Sequence, residues 1–214
     1  MSTLLVPYYE HPSVRPAEWD AIVEAAPRLY GVVLNPASGP GDRPDPVFAE
    51  VAERLRGAGV RVLGYTDTAY GHRPRPEVVA DLARHCDWYG ADGAFLDQVA
   101  AGPEEFRHYQ RLATAAWGVG CHTLVLNHGT TPHPCYARIA DVLVTFEGTW
   151  TSYRDLRPWR GPSGVRQCHL VYDVPPGADP AGLARARGAS VYCAVPGSGD
   201  HPWGTLPPTL EPTR

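Results

Sequence analysis

Eight short runs rich in β-branched and aromatic residues recur along the chain at intervals of about 20 to 35 residues. They are LLVPYY (4–9), YGVVLNP (30–36), VRVLGYTD (60–67), DGAFLDQ (92–98), HTLVLNH (122–128), DVLVTFEG (141–148), VRQCHLVYDV (165–174) and ASVYCAVP (189–196). Helical periodicity fills most of the gaps. Helices are predicted over 16–26, 45–58, 76–89 and 103–117, with shorter ones over 133–140 and 179–187 and a turn or two at TSYRDL. Strand–helix–strand alternation requires parallel strands joined by right-handed crossovers. Eight such strands suit a closed cylinder better than an open sheet. The expected fold is therefore α/β: a compact single-domain (β/α)8 TIM barrel, near the lower size limit for that architecture at 214 residues.

The barrel is expected over residues 4–200. A Pro-rich tail over 201–214 leaves no room for an ordinary eighth helix and is predicted to plug or wrap the barrel, its last residues loose. The net charge of −4 provides no basic field for nucleic acid, although all 19 basic residues are Arg. No run reaches the roughly 20 apolar residues of a membrane span, and the first residues carry no leader pattern, so the expected location is cytoplasmic. The abundance of Arg, Ala, Gly and Pro, with no Lys, suggests a GC-rich, bacterial genome. Five cysteines (86, 121, 135, 168 and 193) form no C-x-x-C motif and read as free thiols, two of them inside strands, with one disulfide left open.

Barrels of this kind carry their chemistry at the C-terminal ends of the strands. Here those ends are rich in polar and aromatic residues: Tyr8, Asn35, Tyr65, Asp67 with Tyr70 beyond, Asp97 and Gln98, Asn127 and His128, Glu147 with Trp150 beyond, Tyr172 and Asp173. Carboxylates among aromatics and amides suit sugars, because flat rings meet the C–H face of a pyranose and amides pair with hydroxyls. Asp97 and Glu147 come from strands near enough to approach the roughly 5–5.5 Å of a retaining glycosidase. Burial behind Val142, Leu143, Val144 and Phe146 would raise the pKa of Glu147, as a general acid requires.

Other roles remain open. Asp97 could cap the next helix. Glu147 could pair with Arg154 or Arg157, and Asp67 and Asp173 could position substrate or serve structure. His128 and His169 invite a metal, but the His-x-His of metal-dependent barrels is missing after strand one, so no metal and no cofactor are expected. Gly197-Ser198-Gly199 lacks a helix behind it to hold phosphate. Trp19, Trp88 and Trp117 fall on helices as core, whereas Trp150 and Trp203 sit in loops that could line a groove.

The segments LLVPYY, GVVLNPASGPG, AGVRVLGYTDTAYGHRP, WYGADGAFLDQV and VTFEGTW run in order from residue 4 to about 150 and resemble the spherulin-4-like family. The resemblance implies glycoside hydrolase family 135, related to families 114 and 166. It implies a (β/α)8 barrel and endo-acting cleavage of α-1,4-linked N-acetylgalactosamine polysaccharide. It also implies an Asp-Glu pair ending strand four and a Glu ending strand six. Asp97 and Glu147 match; Gln98 stands where the family has the second acid. Family members are often exported. Three readings follow: a retaining endo-glycosidase acting on a polysaccharide or oligosaccharide; a non-catalytic or impaired carbohydrate-binding barrel, on account of Gln98; and a barrel enzyme acting on a phosphorylated metabolite.

Overall fold

The computed structural model describes residues 3–212. Eight parallel strands close into one barrel in chain order: β1 (Thr3–Pro7), β2 (Leu29–Leu34), β3 (Val62–Asp67), β4 (Gly93–Asp97), β5 (Thr123–Asn127), β6 (Val142–Thr149), β7 (Arg166–Tyr172) and β8 (Val191–Ala194). Pairing of β1 with both β2 and β8 completes the cylinder and leaves no open sheet edge. Around it lie α1 (Pro16–Glu24), α2 (Pro46–Gly57), α3 (Arg75–Tyr89), α4 (Phe106–Gly118), α5 (Trp150–Arg154) and α6 (Pro180–Ala186). All eight strand-like runs form staves. The helix expected over 133–140 is instead a 3-10 segment, Pro134–Arg138, because a crossover confined to residues 128–141 has room for little more than a tight turn.

Local chemistry sets the helix starts. Proline occupies the first or second position of α1, α2, α3 and α6, where its missing N–H leaves no bond unmade. Asp45 caps α2, its Oδ1 accepting from the N–H groups of Val47 and Phe48 at 2.9 and 3.3 Å.

Alternation along each strand divides the core in two. Leu5, Val33, Leu63, Phe95, Val125 and Leu170 point into the cylinder and fill it. Leu4, Val6, Val32, Leu34 and Val62 point outward and meet Trp19 and Ile22 of α1 and Phe48 and Leu55 of α2. Each such side chain contributes about 1.5–3 kcal/mol on burial. Cys168 and Cys193 lie within the inner layer as small apolar groups. All five cysteines are free, with Sγ of Cys86 and Cys121 3.6 Å apart.

After β8 the chain turns back across the barrel. Trp203, Leu206 and Leu210 are buried, Trp203 within the inner layer. The N–H of Tyr9 donates to the Trp203 carbonyl at 3.1 Å, and Arg28 holds the Thr209 carbonyl at 3.1 Å. Residues 213–214, part of the end predicted to be loose, fall outside the described residues. No helix among the described residues is long and apolar enough to cross a membrane.

Candidate active site

Three strand ends meet through one side chain. Asn127, the last residue of β5, donates from Nδ2 to Asp97 Oδ1 at 2.7 Å and to Glu147 Oε2 at 2.6 Å. Its Oδ1 accepts from the Gly129 N–H at 3.0 Å, which fixes the amide with its nitrogen toward the acids. Gly129, at φ 63, uses the left-handed backbone to make this turn, and its carbonyl accepts the Glu147 N–H at 3.0 Å. One turn therefore holds both the bridging amide and the strand that carries the second acid. Since both bonds share one nitrogen, the two carboxylate oxygens lie no more than about 5 Å apart.

Glu147 reaches this position through a bulge. Val142 and Val144 point inward and Leu143 outward, so plain alternation would turn Glu147 out toward the helices. The register between β6 and β7 slips between Val144 and Phe146, inserting Thr145 as an extra residue. Phe146 then faces the outer layer beside Tyr153, and Glu147 faces the mouth.

Asp97 is held more heavily. Its Oδ2 accepts the Tyr65 hydroxyl at 2.8 Å, and Thr68 Oγ1 lies 2.9 and 2.8 Å from the carbonyls of Asp97 and Gln98. Tyr65 is braced by Tyr9, edge-on with ring centres 5.9 Å apart, and stacks on Phe95. Asp67 lies directly across the β3–β4 ladder from Asp97. Its own Oδ1 accepts the Ala69 N–H at 2.7 Å.

Burial pushes both carboxyls above their ordinary range. For Asp97 the hydrogen bonds from Tyr65, the Gln98 backbone and Asn127 pull back, while the Asp67 charge pushes further up. For Glu147 burial leads; Asn127 and the Trp203 indole pull back, and the charge of Asp97 pushes up. The Trp203 Nε1–H donates to Glu147 Oε1 at 3.2 Å. Both carboxyls are thus held above the ordinary range by burial, and the charge of one bears on the titration of the other. Neither acid forms an ion pair among the described residues, so the alternative of Glu147 bound to Arg154 or Arg157 does not hold. Asp97 does not cap α4, whose N-cap residue is Glu105.

The other predicted residues divide. Tyr65, Asp67, Asn127 and Tyr172 face the mouth, with Tyr172 edge-on to Trp203 at 6.2 Å. Tyr70 stands exposed on the rim and Gln98 is exposed beside it. Asn35 shapes its own loop, its Oδ1 accepting from the Gly39 N–H at 2.8 Å. Asp173 is exposed, its N–H given to the Gly197 carbonyl. Three point away. Tyr8 is buried against Trp19 in the helix layer, because alternation from Leu5 sends Tyr9, not Tyr8, inward. His128 is buried on the outer side with Nδ1 toward the carbonyls of Val99 and Ala100, and burial lowers its pKa to about 4. Trp150 packs on Tyr153. His169, the other metal candidate, bonds the Tyr153 hydroxyl at 2.8 Å. No group of three or more potential metal ligands gathers among the described residues. Tyr9 enters the site without having been counted in it, and Trp203, expected only as a loop residue that could line a groove, enters it too. Alternation from Leu5 pointed to Tyr9, whereas only the path of the tail brings in Trp203.

Five non-glycine residues have left-handed backbones, Ser38, Ala69, Tyr70, Gln98 and Asp173, and all five follow C-terminal strand ends. Each costs about 1–2 kcal/mol, a strain that accumulates at functional rims.

Fold and mouth together define a class: a (β/α)8 barrel presenting two half-buried, amide-bridged carboxylates beside aromatic rings. Within that class the chain belongs to spherulation-specific family 4, whose pattern it matches over residues 3–193. It is 32% identical over 157 residues to Spherulin-4 of Physarum polycephalum, a match covering 71% of this chain and 46% of that protein. The chain thus spans about half the length of that curated relative. Its fold is similar to the crystal structure of Aspergillus clavatus Sph3 in complex with GalNAc, with TM-score 0.80 and 24% identity, covering 98% of this chain and 94% of that one. The N-terminal domain of an aldolase candidate from Bacteroides vulgatus is also similar, with TM-score 0.61 and 14% identity over 97% of this chain and 77% of that one.

Proposed function

We propose that the protein is a retaining glycoside hydrolase that cleaves within polysaccharides containing α-1,4-linked galactosamine or N-acetylgalactosamine. The observation that carries this reading is the Asn127 amide joining Asp97 and Glu147 within about 5 Å, the spacing of a nucleophile and an acid/base rather than of two acids separated by a water. Asp97, oriented by Tyr65, attacks the anomeric carbon. Glu147, protonated, gives its proton to the departing glycosidic oxygen, then takes one from the water that opens the glycosyl-enzyme bond. Tyr9, Tyr65, Tyr172 and Trp203 offer ring faces to the sugar. The galactosamine assignment rests on the family resemblance and on the sugar bound by Sph3.

Incubation with partly deacetylated galactosaminogalactan is expected to release new reducing ends, with the anomeric configuration of the first product retained. Asp97→Asn and Glu147→Gln should each lose at least about 10³-fold in kcat while melting cooperatively. Full activity in either variant refutes the roles given. A second reading, a barrel that binds sugar without cutting it, is favoured by Gln98, an amide where the family carries an acid. Saturable binding of the same glycan with no new reducing ends would establish it.

A further inference from the structure

Away from the mouth, two cysteine sulfurs meet. The Sγ atoms of Cys86 and Cys121 lie 3.6 Å apart, in van der Waals contact. Cys86 stands half-buried in the last turn of α3, and Cys121 is fully buried in the turn between α4 and β5. Backbone bonds fix both positions. The Cys86 carbonyl accepts the Gly90 N–H at 3.0 Å. The Cys121 N–H donates to the Ala116 carbonyl at 3.0 Å, and the next N–H, of His122, donates to the Asp92 carbonyl at 2.8 Å. Gly120, at φ 103, supplies the left-handed turn that brings Cys121 round to α3. Only about 1.5 Å of side-chain movement separates this pair from the bond length of a disulfide. The two thiols differ in character. Contact with Cys121 holds the Cys86 pKa below the ordinary thiol range, against burial and the charges of Asp87 and Asp92. The same contact, with burial, pushes the Cys121 pKa up. Cys86 is therefore the thiolate that an external reagent can meet, and Cys121 is shielded from anything but Cys86.

We infer that Cys86 and Cys121 form a thiol-oxidation site, which takes a low-molecular-weight disulfide such as oxidised glutathione and closes to an intramolecular bridge. The Cys86 thiolate attacks one sulfur of the small disulfide, forms a mixed disulfide and expels a small thiolate, which picks up the proton that Cys86 gave up. Cys121 then loses its proton and attacks the Cys86 Sγ, expelling the second small thiol. Two protein thiols are oxidised to one disulfide, and one small disulfide is reduced to two thiols. The bridge spans 35 positions of sequence and encloses the whole of β4, with Asp97 at its end, and the whole of α4. Both cysteines lie near the strand starts, on the barrel face opposite the mouth. Oxidation thus staples the segment that carries Asp97 without touching either acid, and the inference stands whether or not the barrel cleaves a glycan. Closing so long a loop removes conformational freedom from the unfolded chain, so the bridge should stabilise the fold.

Incubating the reduced, folded, full-length protein with oxidised glutathione tests the site, read by peptide mapping after alkylation of the remaining thiols and by melting temperature. The free-thiol count is expected to drop by two from five, and one peptide pair joining Cys86 to Cys121 should appear. The melting temperature should rise by at least about 5 °C and fall back on reduction. Cys121→Ser should stop at a glutathione adduct on Cys86, whereas Cys86→Ser should take up none on the buried Cys121. Should Cys121→Ser unfold, Cys121→Ala carries the same readout. Five thiols still free after prolonged oxidation, a wild-type protein that stops at the Cys86 adduct, or a bridge made through Cys135, Cys168 or Cys193 overturns the site. A Cys86–Cys121 bridge that leaves the melting temperature unchanged overturns the stapling.

Discussion

Replacing Asn127 with alanine leaves Asp97 and Glu147 facing one another with no donor between them. The Asn127 bond lowers both pKa values, so its loss raises both, and the rate profile moves as a whole. In the proposed mechanism Asp97 must be ionised, which sets the acid limb, and Glu147 protonated, which sets the alkaline limb. Asn127→Ala should shift both limbs of kcat/KM to higher pH and lower its maximum by roughly 10²-fold. Stability should follow the same groups. Carboxyls whose folded pKa lies above the unfolded value favour the fold at low pH, and that advantage is lost as pH rises through the folded pKa. The variant should therefore melt further below the wild type at neutral pH than at pH about 4, measured by calorimetry at both. Gln98 calls for the opposite expectation. It is exposed, its backbone is left-handed, and its side chain stands outside the Asp97–Asn127–Glu147 bridge. Gln98→Glu should change kcat by less than about threefold; a rise of tenfold or more, some 1.4 kcal/mol in the barrier, would mean that the amide impairs the site.

Among the elements, β6 shows what the sequence reveals and what it hides. The eight staves are legible because β-branched runs between helical stretches leave few alternatives to a parallel barrel. Which side chains face the mouth follows from alternation wherever the strand is regular. Counting by twos from Leu5 selects Tyr9 over Tyr8, and counting from Val125 selects Asn127 over His128. Position at a strand end alone does not make that choice. In β6 the count itself breaks at Thr145, and nothing in VLVTFEG announces a bulge, so position at the strand end, with the family resemblance beside it, placed Glu147 where periodicity would have turned it away. Deleting Thr145 removes the extra residue and leaves plain alternation with Val144 inward, Phe146 outward and Glu147 still toward the mouth, so turnover should survive, lowered by no more than about tenfold. Far-ultraviolet circular dichroism should keep its barrel-like signature, and the melting temperature should fall. Complete loss of turnover in the deletion, with the barrel still folded, would mean that Thr145 does more than correct the facing of Glu147.

At the scale of the whole molecule, the tail does the work of an eighth helix and more. A (β/α)8 cylinder exposes inner-layer side chains at its mouth unless something covers them, and here Trp203 does so while its indole holds Glu147. The same residue thus joins fold stability to the proton on the acid, and two substitutions separate the two contributions. Trp203→Phe keeps most of the apolar burial but removes the N–H that lowers the Glu147 pKa. Its stability should drop by only about 1 kcal/mol, the worth of one hydrogen bond, while the alkaline limb of kcat/KM moves to higher pH. Trp203→Ala empties the space as well and should lose about 3–5 kcal/mol. Denaturant melts read the first quantity and pH–rate profiles the second. If Trp203→Phe leaves the alkaline limb in place, Glu147 does not supply the proton, and the roles assigned to the two acids must be exchanged.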